Sequence, residues 1–136
     1  MSPESLQLAQ SWLRKASSDL AAARILIRGD HPYLDIAAYH CQQGAEKAFK
    51  AYLTSQETIF PKTHTLERLV ELCSSSTADF EQFQPYAKEL TPLSDEFRYP
   101  GDGPDPTPQE AEHALALAEE IYRFCAERLG DERAES

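Results

Sequence analysis

Four residues, His40, Gln43, Lys47 and Lys50, recur at steps of three, four and three. At that spacing they share one face of a helix. A cationic ridge with an imidazole at its end can hold a phosphate through charge-assisted hydrogen bonds. The same stripe also reads as a solvated helix face with Glu46 as a local ion-pair partner. A second candidate is His64, in Pro61-Lys62-Thr63-His64-Thr65-Leu66, just ahead of a predicted helix start. A histidine there can receive an anion together with free backbone N–H groups. It can equally donate to a neighbouring carbonyl and fix the loop. A third candidate is Arg98, in Arg98-Tyr99-Pro100. A guanidinium leaving a helix end suits bidentate phosphate contact, or else it neutralises the helix C-terminus. His31 reads as a turn residue and His113 as a surface helix residue. The four histidines have no metal-ligand spacing, so neither metal nor cofactor is expected. There is no phosphate-cradling glycine loop, no Ser/His/Asp arrangement that spacing supports, and no arguable paired-carboxylate site.

These residues must be placed by helices, because the apolar period is helical nearly everywhere. Over residues 5–27 the apolar positions are Leu6, Ala9, Trp12, Leu13, Ala16, Leu20, Ala23 and Ile27, at steps that make one stripe. Arg14, Lys15 and Asp19 fall outside it. Gly29-Asp30-His31-Pro32 breaks the pattern. A second helix is expected over residues 32–55, with a small face of Ala37, Cys41, Gly44, Ala45, Ala48 and Tyr52. Gly44 costs roughly 1 kcal/mol against alanine in a helix interior, which close packing of another helix would explain. Residues 57–63 read as a loop. Thr65 can cap a short helix carrying Leu66, Leu69, Val70 and Cys73. The run from Phe80 to Phe97 is helical in period but contains Pro85 and Pro92, which predicts two short pieces or a kink. Residues 98–108 are rich in proline and glycine and form a loop. Thr107, Pro108 and Glu110 then make a helix start of the capping-box kind. The last helix carries Ala111, Ala114, Leu115, Ala118, Ile121, Tyr122, Cys125 and Leu129, and Gly130 ends it. Leu117 and Phe124 widen that stripe, which fits either a dimer interface or a wide core.

No strand-like alternation and no internal repeat occurs. The expectation is an all-α, up-and-down bundle of four main helices plus a short helix. A chain of 136 residues is the size of a single domain, with a core over about residues 6–129 and a frayed tail at 131–136. Hydrophobic residues at 41% and charged residues at 26% argue against disorder. No stretch has the ~18 apolar residues of a membrane span. Met1-Ser2-Pro3-Glu4-Ser5 lacks the pattern of a secretory signal, and Cys41, Cys73 and Cys125 match no disulfide or zinc spacing. A cytoplasmic protein with buried, reduced thiols is expected. The formal net charge is -10. It is uneven: residues 1–70 hold eight basic and seven acidic residues, and residues 71–136 hold five and sixteen. Such acidity excludes non-specific binding to DNA or to anionic membranes, and leaves room for a local anion site in the first half.

Four stretches together resemble the HEPN domain family (higher eukaryotes and prokaryotes nucleotide-binding). They are Ala9-Gln10-Ser11-Trp12-Leu13-Arg14-Lys15-Ala16 with Asp19-Leu20, then Tyr39-His40-Cys41-Gln42-Gln43-Gly44-Ala45-Glu46-Lys47-Ala48-Phe49-Lys50-Ala51, then Lys62-Thr63-His64-Thr65-Leu66, and Arg98-Tyr99-Pro100. The resemblance implies a bundle of four to five helices, commonly a homodimer. It also implies a minimal nucleotidyltransferase as partner, in pairs that look like toxin–antitoxin modules. Some members are metal-independent RNases whose motif is an arginine, four to six residues, then a histidine. Here Gly103, Pro104 and Asp105 stand where that histidine would fall, and the next histidine is His113. The leading expectation is a non-catalytic homodimer that binds a nucleotide or a nucleotidyltransferase through Arg98, Tyr99, His64, Lys62, Lys47, Lys50, His40 and Gln43. One alternative is an RNase toxin acting on RNA with a displaced general base such as His64. The other is a plain helical interaction module.

Overall fold

The computed structural model describes residues 1–30, 32–94 and 104–130. They form an all-α up-and-down bundle: α1 (Pro3–Ile27), α2 (Leu34–Ser55), α3 (Leu66–Ser76), α4 (Gln84–Leu90) and α5 (Pro108–Arg128). Two 3-10 segments, Ala78–Phe83 and Thr91–Ser94, flank α4. The expected break between Phe80 and Phe97 thus takes the form of a 3-10 turn, a short α-helix opening on Pro85, and a second 3-10 turn. No strand occurs among the described residues.

Helix α2 is the axis of the bundle. It packs most extensively on α1 and next on α5. From Cys41 to Ser55 every residue is buried except Lys47, which is half-buried. The small face read from the sequence is therefore buried, and so is most of the polar face beside it. Gly44 marks the closest approach. A Cβ there would lie 2.6 Å from Leu20 Cδ2 and 2.9 Å from Leu20 Cγ. Leu20 is itself in the core and has little room to move. Gly44→Ala is expected to lower stability by about 1–2 kcal/mol, because overpacking outweighs the helix-propensity gain. Chemical denaturation checks the sign. In the Leu20→Ala background the same change should be neutral or stabilising, since the clash is gone.

The ends follow local chemistry. Thr107 Oγ1 accepts from the Glu110 N–H at 3.1 Å, and Glu110 Oε1 accepts from the Thr107 N–H at 2.9 Å, completing the capping box. Gly29 and Gly130, one residue past the caps of α1 and α5, take positive φ of 105° and 72°. Past α2 that place is held by Glu57, at φ 55°. Its carboxylate accepts from the Ser2 N–H at 3.2 Å and the Ser5 hydroxyl at 2.9 Å, tying the end of α2 to the start of α1. Those hydrogen bonds hold the Glu57 carboxyl below its usual pKa. Thr65 stands at the α3 cap position, but its side chain makes no capping bond. The Leu66 N–H donates instead to Thr91 Oγ1 at 3.0 Å, so a distant residue caps α3.

The core continues through aromatic rings. Phe49 meets Phe80 and Phe83, and both of these meet Phe124, whose ring is 4.9 Å from each. Leu117 is buried in the same cluster, and Arg128 lies 3.2 Å over the Phe124 ring. On the widened α5 stripe Leu117 thus joins the core of its own chain, while Phe124 packs on that core and stays half-buried. Trp12 is half-buried, edge-on to Phe60, and not enclosed as its place on the first stripe implied.

Cys41, Cys73 and Cys125 are free and buried. Burial first, and then the Glu119 charge, pushes the Cys41 thiol up to about 12. Burial likewise raises Cys73 and Cys125. An aromatic disulfide reagent is expected to titrate no thiol in the native protein and all three after unfolding. Raised thiol values make this contribution to stability fully present below the ordinary thiol pKa. It is lost as pH climbs from there through the value of about 12. Denaturation midpoints measured above about pH 9 should therefore fall.

Candidate functional site

Two buried carboxylates organise the polar face of α2. Asp19, from α1, receives Lys47 Nζ at 2.6 Å on Oδ2 and His40 Nδ1 at 2.8 Å on Oδ1. Glu46, on α2 itself, receives Lys50 Nζ at 3.0 Å on Oε2 and His64 Nδ1 at 2.8 Å on Oε1. Gln42 Nε2 also donates to Glu46 Oε1 at 3.1 Å and to the His64 carbonyl at 3.1 Å. Gln43 in turn donates to Gln42 Oε1 at 2.7 Å. Each cluster is thus one carboxylate shared by one lysine and one histidine. Every buried side-chain polar atom described has a partner.

The local reasons are plain. Glu46 and Lys50 are four apart with the acid first, the favourable order for a helix pair. His40 and Lys47 lie two turns apart on the side of α2 that faces α1. The 57–65 loop folds back along α2 and delivers His64 to Glu46. Burial differs sharply along this line. The Glu46 side chain is 4% exposed and Lys50 11%, while the His64 ring is 65% exposed. His40 and Lys47 are intermediate. Lys50 Nζ also sits 5.6 Å from the Trp12 ring centroid and 5.9 Å from that of Phe60, a cation–π position.

His40, Gln43, Lys47, Lys50 and His64 are therefore brought together along one face, and Lys62 is exposed on the loop leading to His64. The lysine ridge is a pair of ion pairs in place of two free ammonium groups. The amides near His64 are also partly engaged: the Thr65 N–H donates to Thr63 Oγ1 at 3.1 Å, and the Leu66 N–H to Thr91. Arg98 and Tyr99 lie outside the described residues, as does His31. His113 is exposed and pairs with Glu89 at 3.2 Å. Among the described residues no group of His, Cys, Asp and Glu could hold a metal ion, and no helix is long and apolar enough to cross a membrane. A cavity of about 320 Å³ between α4 and α5 shares no lining residue with either cluster.

Sequence reasoning missed Asp19 as an anchor, and with it Gln42. Asp19 lies outside the strict apolar stripe but three residues after Ala16 and four before Ala23, at the stripe's edge. That position is the signal that could have flagged it. With neutral imidazoles each cluster carries one positive and one negative charge. Protonation of its histidine leaves a single net positive charge, placed at the exposed end for His64. A histidine held at Nδ1 by a carboxylate keeps a fixed orientation and directs Nε2 away from it.

The protein is thus an all-α bundle in which α1 and α2 each supply a buried carboxylate shared by a histidine and a lysine. The chain belongs to the HEPN domain family, whose model matches residues 9–129. Among solved structures it is similar to TT1696 from Thermus thermophilus, at 29% identity and a TM-score of 0.71, covering 88% of this chain and 96% of that one. It is also similar to ST0689, described as an archaeal HEPN homologue, at 25% identity and a TM-score of 0.68, covering 89% of this chain and 97% of that one. No curated protein matches the chain.

Proposed function

We propose that this HEPN protein binds the phosphate of a nucleotide at the surface around His64, without cleaving nucleic acid. On this reading it is a single-domain cytoplasmic homodimer, and a nucleotidyltransferase is its partner in a toxin–antitoxin module. One observation carries the binding site: a 65%-exposed imidazole is fixed through Nδ1 by a carboxylate that is 4% exposed. Nε2 makes no hydrogen bond among the described residues. A ligand therefore meets a preoriented Nε2, which donates to a phosphate when the ring is protonated, and the ordering cost has already been met by folding. Lys62 supplies a second cation on the same loop. Lys50, Gln42 and Gln43 hold Glu46 in place, and Asp19, His40 and Lys47 repeat the design one step along α2. An arriving phosphate favours the protonated imidazole. Arg98 and Tyr99 join the site on the strength of the sequence resemblance alone.

Calorimetric titration with a nucleoside monophosphate is expected to show a weak, salt-sensitive site. Arg98→Ala and His64→Ala should each cost about 1.5–3 kcal/mol of binding, the range for a hydrogen bond to a charged group. Arg98→Lys should recover part of that loss, keeping the charge and losing the fork. Unchanged affinity in both alanine variants, with stability lowered, would sink the reading. A second reading rests on the paired design. Two imidazoles held by carboxylates are what RNA transesterification needs, one to take the 2'-hydroxyl proton and one to protonate the leaving oxygen. Decay of RNA in the presence of a chelator, lost in His64→Ala, would support that reading over the first.

A further inference from the structure

The two clusters do not account for the surface next to His64. Trp12 and Phe60 are both half-buried, with ring centroids 6.5 Å apart at an interplanar angle of 66°. Each leaves part of its ring in solvent. Leu8, one turn before Trp12 on α1, is 55% exposed, and Ile59, next to Phe60, is 94% exposed. These side chains make an apolar strip on α1 and on the loop that, four residues after Phe60, carries the most exposed imidazole of the site. The strip and the imidazole are joined by a continuous chain of contacts. Lys50 Nζ lies over both rings and 3.0 Å from Glu46 Oε2, and Glu46 Oε1 is 2.8 Å from His64 Nδ1. Phe60, Lys62 and His64 follow one another on the same loop, stiffened by Pro61. The rings thus stand at a fixed place relative to the phosphate donors.

We propose that the Trp12–Phe60 pair is the seat for the base of the nucleotide whose phosphate meets His64 and Lys62. This rests on the phosphate reading above and adds the chemical class of its ligand. A nucleobase is a flat, largely apolar face, and aromatic side chains next to cations are the usual platform for it. Leu8, one turn before Trp12, and Ile59, next to Phe60, are exposed aliphatic side chains available to the same ligand. The charges nearest the rings are balanced: Lys50 is paired with Glu46, whereas Lys62, on the loop beside His64, where the phosphate belongs, has no ion pair among the described residues. Lys50 also fixes the two rings from below. The seat takes any base, because stacking reads a π-face and not a hydrogen-bond pattern.

Trp12 is the sole tryptophan of the chain, so the seat carries its own reporter. The protein is titrated with adenosine monophosphate, with pyrophosphate and with hexaadenylate, following indole emission and heat together. The expected result is saturable quenching by the monophosphate at the calorimetric midpoint, and heat without quenching for pyrophosphate. Phe60→Leu should weaken monophosphate binding roughly 5- to 100-fold and leave pyrophosphate binding unchanged. Trp12→Phe, which keeps an aromatic face, should hold monophosphate affinity within about threefold by calorimetry. Unchanged pyrophosphate binding in Phe60→Leu also reports that this variant is folded. Quenching by hexaadenylate at lower concentration than the monophosphate places a strand on the seat, and the reverse order places a free nucleotide there; both support it. Monophosphate binding with flat indole emission, indifferent to Phe60→Leu, overturns the seat and leaves the phosphate site standing. Absence of heat with both the monophosphate and pyrophosphate overturns the phosphate site and the seat with it.

Discussion

Glu46→Ala is expected to destabilise the protein by about 3–5 kcal/mol, the cost of breaking a buried charge pair from one side. The substitution removes the acceptor of three groups at once: Lys50, His64 and Gln42. Lys50 suffers most. Its ammonium is left between the rings of Trp12 and Phe60 with 11% of the side chain exposed, and among the described residues no other acidic side chain pairs with it. The cation–π contacts offset only part of that, at about 0.5–2 kcal/mol. Glu46→Gln should cost less, since an amide oxygen still accepts a hydrogen bond. The double change Glu46→Leu with Lys50→Met should recover most of the loss, because both charges leave the interior together. Urea unfolding of the four proteins checks this. A loss below about 1 kcal/mol for Glu46→Ala would mean that the pair behaves as a surface ion pair.

Phe80→Ala should cost about 3–5 kcal/mol for a different reason. Phe80 is fully buried on the 3-10 segment Ala78–Phe83. Its ring is 4.4 Å from that of Tyr52, 4.9 Å from Phe124, and 6.3 Å from Phe49 and Phe83. Removing it opens a cavity where α2, α5 and the 3-10 segment converge. Large rings on several elements cannot all collapse into the space, which is why the loss stays high. Phe80→Leu should cost distinctly less. A loss of under about 1.5 kcal/mol in Phe80→Ala, read from denaturant midpoints, would show that this segment is only loosely docked.

What the sequence made legible was whatever is local. The stop at Gly29, the capping box at Thr107 and Glu110, and the breaks near Pro85 and Pro92 each depend on neighbours close by in the chain. Gly44 was legible too, as a helix glycine needing a packing reason, and Leu20 is that reason. The site was half legible. His40, Gln43, Lys47 and Lys50 do share a face, but spacing left it open between a phosphate-holding ridge and a solvated face. It is largely covered, with Gln43 and Lys50 buried and His40 and Lys47 half-buried, because α2 runs through the middle of the bundle, with α1 on one side and the loop bearing His64 folded over another. Period alone cannot separate a solvated polar stripe from one roofed by a distant loop. For the same reason Asp19 looked peripheral, and nothing near Thr65 announced that Thr91, 25 residues beyond Leu66, would bond the α3 N-terminus. The contacts of Phe124 with Phe80 and Phe83 were not legible either, since they join α5 to a 3-10 segment some 40 residues earlier.

The central claim is that His64 is a preoriented phosphate donor. The direct measurement is nuclear magnetic resonance of the histidine rings while a nucleoside monophosphate is added, since four histidines give few, separable signals. The account predicts that the His64 ring nitrogens shift most and saturably, that His40 follows more weakly, and that His113, on α5 and paired with Glu89 of α4, stays still. Saturable binding that leaves the His64 signals unmoved would contradict it.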